Sequence, residues 1–83
     1  MASMTPEELE RVRAAVAATW RSVLSRNAIG YEENFFDAGG NSFQLLMVKD
    51  RLDAMLGVRT DLVAFFRHPT ISQITHHIYG VKS

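Results

Sequence analysis

Ser42 stands directly behind two glycines in the stretch "FFDAGGNSF", Phe35 to Phe43, and the residues after it read as a helix. The mouth of a helix presents unpaired backbone N–H groups and a partial positive charge. An anion attached there is favoured, phosphate above all. Gly39 and Gly40 are expected to adopt conformations closed to other residues and to leave open space around the hydroxyl. The arrangement suits a serine that becomes a phosphodiester. A plainer reading stands beside it: Asn41 or Ser42 is only an N-cap and the glycines only a turn.

The other chemistry-bearing residues form no comparable set. A serine hydrolase needs a base and an orienting acid beside its nucleophile. His68, His76 and His77 are present, but Gln44 occupies the place of the second glycine in a nucleophile elbow. His76 and His77 are neighbours on a helix, point in different directions, and read as surface or flanking residues. His68 reads as a loop residue before Pro69. No two histidines have i,i+4 spacing, so no metal site is expected. Asp50 and Asp53, one turn apart, read as a solvated helix face rather than an acid/base pair. Lys49 and Asp53 read as a weak surface pair.

The elements that position Ser42 belong to one small domain, since the chain has 83 residues. There is no cysteine, hence no disulfide and no thiolate metal site. Nine Lys and Arg balance nine Asp and Glu, with no basic cluster, which argues against a nucleic-acid partner. No apolar run approaches the length of a membrane span, and no signal pattern opens the chain, so a cytoplasmic protein is expected. Residues 1–4 are set aside as a disordered N-terminus or cloning remnant, because Met4 could be the native start.

Thr5 is the expected cap of a first helix, with Pro6 at its first position and Glu8 completing a capping box. Leu9, Val12, Val16, Trp20, Val23 and Leu24 recur at helical spacing, and Glu7 and Arg11 form an i,i+4 pair. Residues 27–41 form a long connection, pinned by Phe35 and Phe36 with at least one ring in the core. A second helix starts at Asn41 or Ser42 and ends at Gly57. Its inner stripe is Leu45, Val48, Leu52, Met55 and Leu56. Phe43, Met47, Asp50 and Ala54 fall on roughly the opposite face, with Leu46 between, near Ser42. Phe43, Leu46 and Met47 are therefore read as a docking patch, the alternative being that Phe43 folds back onto the loop. Asp61 caps a short helix, Leu62 to Phe66, which His68-Pro69 breaks. Thr70 and Gln73 form a capping box for the last helix, whose inner stripe is Ile71, Ile74 and Ile78 and which ends at Gly80. The expected fold is all-α, a four-helix bundle of three longer helices and one short one, spanning residues 5–80 with a tail at 81–83.

The segment "NFFDAGGNSFQLLMVKDRL" resembles the attachment-site region of phosphopantetheine-dependent carrier domains, the acyl and peptidyl carrier proteins. The later "LVAFFRHPTISQITHHI" resembles their short third helix, the junction after it and their fourth helix. The resemblance runs from about Thr5 to Ile78. It implies that Ser42 receives 4'-phosphopantetheine from coenzyme A through a phosphopantetheinyl transferase, with Gly39, Gly40 and Asn41 as the attachment loop. The terminal thiol of that arm then holds acyl or aminoacyl groups as thioesters. It implies a carrier with no catalysis of its own. Its partners would be a loading enzyme of adenylation or acyltransferase type and downstream condensing, tailoring or releasing enzymes.

Two positions depart from the family pattern. Asn41 stands where acyl carriers mostly have Asp and many peptidyl carriers have His. Phe43 stands where Leu or Ile is usual. Carriers of dissociated fatty acid synthases are strongly acidic, whereas this chain has formal net charge +0. Its partner contacts are thus expected to be more apolar than charge-steered. A monomeric peptidyl carrier of nonribosomal peptide or hybrid biosynthesis is favoured, ahead of a polyketide-type acyl carrier. An interaction module that never bears an arm is the reading of another class; it would tolerate Ser42→Ala. The capped start and short tail favour a free-standing protein over an excised domain.

Overall fold

The computed structural model describes residues 5–82. The expectations for residues 1–4 lie outside them. α1 (Pro6–Leu24) starts where Thr5 Oγ1 accepts from the Glu8 N–H at 3.1 Å, with Pro6 at the first helical position. The expected capping box is only half formed. The Glu8 carboxylate accepts from the Thr5 hydroxyl, and the Thr5 N–H donates to the Tyr79 phenol oxygen at 3.0 Å. A partner from the far end of the chain has taken the glutamate's place. The Glu7–Arg11 pair does not form either. Arg13 pairs with Glu10 one turn back and lies over the Tyr31 ring, 5.4 Å from its centroid.

α2 (Ser42–Leu56) ends on Gly57 in the left-handed conformation, φ 65°. Leu45, Val48 and Leu52 are fully buried, and Leu56 packs partly against them. Met55 departs from the expected inner stripe and is exposed. It lies three residues beyond Leu52, about 60° around the helix, in the last turn.

α3 (Leu62–Arg67) runs one residue past the expected Phe66, and Asp61 holds the N-cap position without a side-chain capping bond. α4 (Ile71–Lys82) begins with Thr70 Oγ1 accepting from the Gln73 N–H at 3.1 Å; the return bond from the Gln73 side chain is not made. Gly80 does not stop α4, which continues through the expected tail residues Val81 and Lys82. Gly80 lacks the positive φ that terminates α2 at Gly57.

The architecture is all-α, three longer helices and one short one, with no strand among the described residues. α1 packs on both α2 and α4, and α3 bridges α2 and α4. Val12, Val16 and Trp20 meet Leu45, Val48, Leu52, Phe65, Ile71, Ile74 and Ile78 in one buried cluster. Each such side chain contributes about 1.5–3 kcal/mol when fully buried.

The junction between α2 and α3 is held by a carboxylate that the sequence pattern left on a solvated face. Asp53 accepts from Lys49 at 2.7 Å, from the Thr60 hydroxyl at 2.7 Å and from the Thr60 N–H at 3.0 Å. Both members of the Lys49–Asp53 pair are mostly covered, so it is more than a surface pair. Partial burial pushes the Asp53 carboxyl up, but the bonds from Lys49 and Thr60 outweigh it and hold it below the usual range.

Candidate functional site

The loop before α2 is tied down from several sides. The Asn34 side chain accepts from the Phe36 N–H at 2.8 Å and the Asp37 N–H at 3.3 Å, an Asx-type turn. The Phe35 N–H donates to the Pro69 carbonyl at 2.7 Å, and the Ser72 N–H to the Tyr31 carbonyl at 3.0 Å. Arg26 bonds Glu33 at 2.7 Å, and with the Gly30 N–H it holds the Glu33 carboxyl below its usual range. Phe35 is fully buried, its ring edge-on to Trp20 at 4.9 Å, while Phe36 is partly exposed. One ring in the core, as expected, anchors the segment.

The two glycines serve different ends. Gly39 has φ +102°, with nothing near where a side chain would project. It supplies the conformational freedom expected of the pair. Gly40 has no positive φ. A Cβ there would lie 2.2 Å from Cε2 of Phe35. Gly40 is thus a close-approach residue on a buried ring, which corrects the expectation that it opens space around the hydroxyl.

Asn41, not Ser42, is the cap. Its side-chain oxygen accepts from the Gln44 N–H at 2.9 Å, and its own N–H donates to Gln44 Oε1 at 3.0 Å, a complete capping box. The Leu45 N–H donates to the Asn41 carbonyl at 2.9 Å. Two of the four N-terminal donors remain without a partner among the described residues, the N–H groups of Ser42 and Phe43. Ser42 is the first helical residue; it is exposed, and its hydroxyl makes no hydrogen bond there. No acidic residue stands in the first turn of α2 to oppose an anion. The site fits a phosphate ester: an unused hydroxyl, two free donors and no carboxylate in the first turn of the helix.

Beside Ser42, Phe43 is 80% exposed, and Leu46 and Met47 are exposed with it. Phe43 does not fold back onto the loop. Sequence periodicity missed further exposed apolar residues. Phe36 stacks on Phe66 of α3 at 5.7 Å, and Val63 of α3 is also exposed. α3 has only six residues, too few for a stripe to stand out.

The histidines do not approach a catalytic arrangement. No hydrogen bond links one to Ser42, and no group of three metal-ligating side chains occurs among the described residues. His68 and His77 instead stack on each other, ring centroids 4.9 Å apart at 24°. Their separation of nine residues and the break between their helices hid that contact from the sequence. No helix among the described residues is long and apolar enough to cross a membrane.

A family model described as a phosphopantetheine attachment site matches residues 14–78. Gramicidin S synthase 2 of Brevibacillus brevis is 34% identical over 67 residues, which make up 81% of this chain and 2% of that protein. The chain thus spans a very small part of that relative. Among solved structures, a peptidyl carrier protein in complex with the phosphopantetheine transferase Sfp and coenzyme A superposes with a TM-score of 0.80 at 25% identity, covering 96% of this chain and 97% of that one. McyG A-PCP complexed with phenylalanyl-adenylate gives a TM-score of 0.75 at 31% identity, covering 78% of this chain and 10% of that one. With a matched region that takes in α2, α3 and most of α1 and α4, the chain belongs to the phosphopantetheine attachment-site family: it is a carrier (thiolation) domain whose cofactor is 4'-phosphopantetheine.

Proposed function

We propose that Ser42 is the attachment residue, and that the chain is a peptidyl carrier serving nonribosomal peptide assembly. The observation that carries the reading is the division of labour at the start of α2. Asn41 does the capping, so the Ser42 hydroxyl stands exposed with no structural duty. The Ser42 Oγ would form the new ester bond to phosphorus as the pyrophosphate bond of coenzyme A breaks, adenosine 3',5'-bisphosphate leaving with the electron pair of that bond and the serine proton passing to a base on the transferase. The Ser42 and Phe43 N–H groups then face the new negative charge with the helix dipole behind them. Bound there, 4'-phosphopantetheine supplies a thiol that holds aminoacyl or acyl groups as thioesters. Gly39, Gly40 and Asn41 shape the approach, and Phe43, Leu46 and Met47 offer the apolar surface to which partner enzymes dock.

The partners follow from that role: a phosphopantetheinyl transferase, an adenylating loading enzyme, and downstream condensing, tailoring or releasing enzymes. The transferase complex and the adenylate-bound A-PCP of the similar structures support the first two. The test is intact mass after incubation with coenzyme A, magnesium and a broad-specificity transferase. A gain of one phosphopantetheine in the wild type and none in Ser42→Ala is expected. A gain in both would move the attachment elsewhere. No gain in either, with several transferases, would leave an unmodified interaction domain.

A further inference from the structure

The formal net charge of +0 conceals a separation. Residues 1–53 hold eight of the nine Asp and Glu and six of the nine Lys and Arg; residues 54–83 hold the remaining one and three, with all three histidines. Two of those three basic residues and two of the histidines meet in the fold, beside the one acid. Arg59, Thr60, Asp61, Arg67, His68 and His77 line an open groove of about 340 Å³ between α3 and α4. The chain carries no basic run because those residues come from separated positions.

Neither Arg59 nor Arg67 makes an ion pair or hydrogen bond among the described residues, and both are exposed. Asp61, the one acid lining the groove, makes no capping bond. Asp53 of α2, which reaches Thr60 behind the groove, is already matched by Lys49. His68 and His77 present ring nitrogens with no hydrogen-bond partner there, flanked by exposed Val63. Two guanidinium groups recognise carboxylates through paired N–H donors, and imidazole adds further donors. The groove, at about 340 Å³, is larger than one oxyanion and open to solvent, which suits a chain segment with several carboxylates.

We propose that this groove docks an acidic segment of a partner protein, a charge-matched contact separate from the apolar patch beside Ser42. The proposal does not depend on modification, so the test uses the unmodified chain. A 15N-labelled sample is titrated with a twelve-residue peptide alternating Glu and Leu, with its Lys and Leu counterpart, and with inorganic phosphate. The acidic peptide is expected to shift the amide signals of residues 59–68 and 77, and the basic one to leave them. Arg59→Gln with Arg67→Gln should weaken the acidic peptide about ten-fold or more, the loss of two charge-assisted contacts. Neither arginine is bonded, so circular dichroism should show the fold unchanged. Phe43→Ala should bind as tightly as the wild type. The proposal is overturned by shifts centred on residues 42–47, by equal affinity in the double variant, or by no shift at all. Phosphate saturating the same signals as tightly as the peptide also overturns it, since the groove would then be a small-anion site.

Discussion

Gly40→Ala should destabilise the domain through one identifiable clash. The added methyl would meet three atoms of a single ring, Cε2, Cδ2 and Cζ of Phe35, at 2.2, 2.5 and 2.8 Å. Carbon atoms pack at about 3.5–4.0 Å, so the ring or the loop must give by an ångström or more. The ring has little room: it is fully buried and stands edge-on to Trp20. Overpacking of this kind costs about 1–3 kcal/mol. A chain this size is stable by only about 4–12 kcal/mol, so the loss is a large share. Urea unfolding followed by the fluorescence of the single tryptophan, Trp20, reads it directly. The decisive measurement is a double-mutant cycle with Phe35→Leu, which shortens the ring side of the contact and alone costs about 0.5–3 kcal/mol. In the double variant the clash is relieved, so its cost should fall short of the sum of the two single costs by about 1 kcal/mol or more. Additive costs, or Gly40→Ala costing under about 0.5 kcal/mol, would refute close approach as the reason for this glycine.

Three further outcomes are expected. Thr75 is fully buried and its hydroxyl has no partner among the described residues; Thr75→Val should raise the urea midpoint by the equivalent of about 1 kcal/mol, and no gain would mean that an internal water satisfies it. Asp53 is held below the usual carboxylate range, so the stability it contributes is present above the unfolded value of about 3.9 and lost as pH falls through the lower folded value; Asp53→Asn should flatten this part of a stability-against-pH curve, and an unchanged curve would reject the assignment. Phe43→Ala removes a side chain that is 80% exposed, so stability should change by less than about 0.5 kcal/mol while loading by a cognate adenylating enzyme falls; unchanged loading kinetics would remove Phe43 from the docking surface.

Much of the fold was legible because it rests on local rules. The stripes Val12-Val16-Trp20, Leu45-Val48-Leu52 and Ile71-Ile74-Ile78 are repeated at helical spacing, and all nine side chains are buried. Caps were legible as positions and less so as bonds. Thr5 and Thr70 each accept the expected N–H, but the reciprocal partner depends on what else reaches the site, and at Thr5 that is Tyr79 from 74 residues away. Ser42 was legible as a type and an offset. That its hydroxyl is free, because Asn41 and Gln44 complete the box without it, needed three dimensions. The purpose of Gly40 lay in a ring five residues back, and the His68–His77 stack lay across a helix break. Neither leaves a periodic trace.

The bond from the Thr5 N–H to Tyr79 also has a mechanical meaning. It joins the start of α1 to the last turns of α4, while Gln44 reaches the Val23 carbonyl at the other end of α1. Nineteen residues of helix, about 28 Å, separate that fastening from the end that bears Ser42. The start of α1 and the last turns of α4 thus share one pole of the domain, and Ser42 lies at the other.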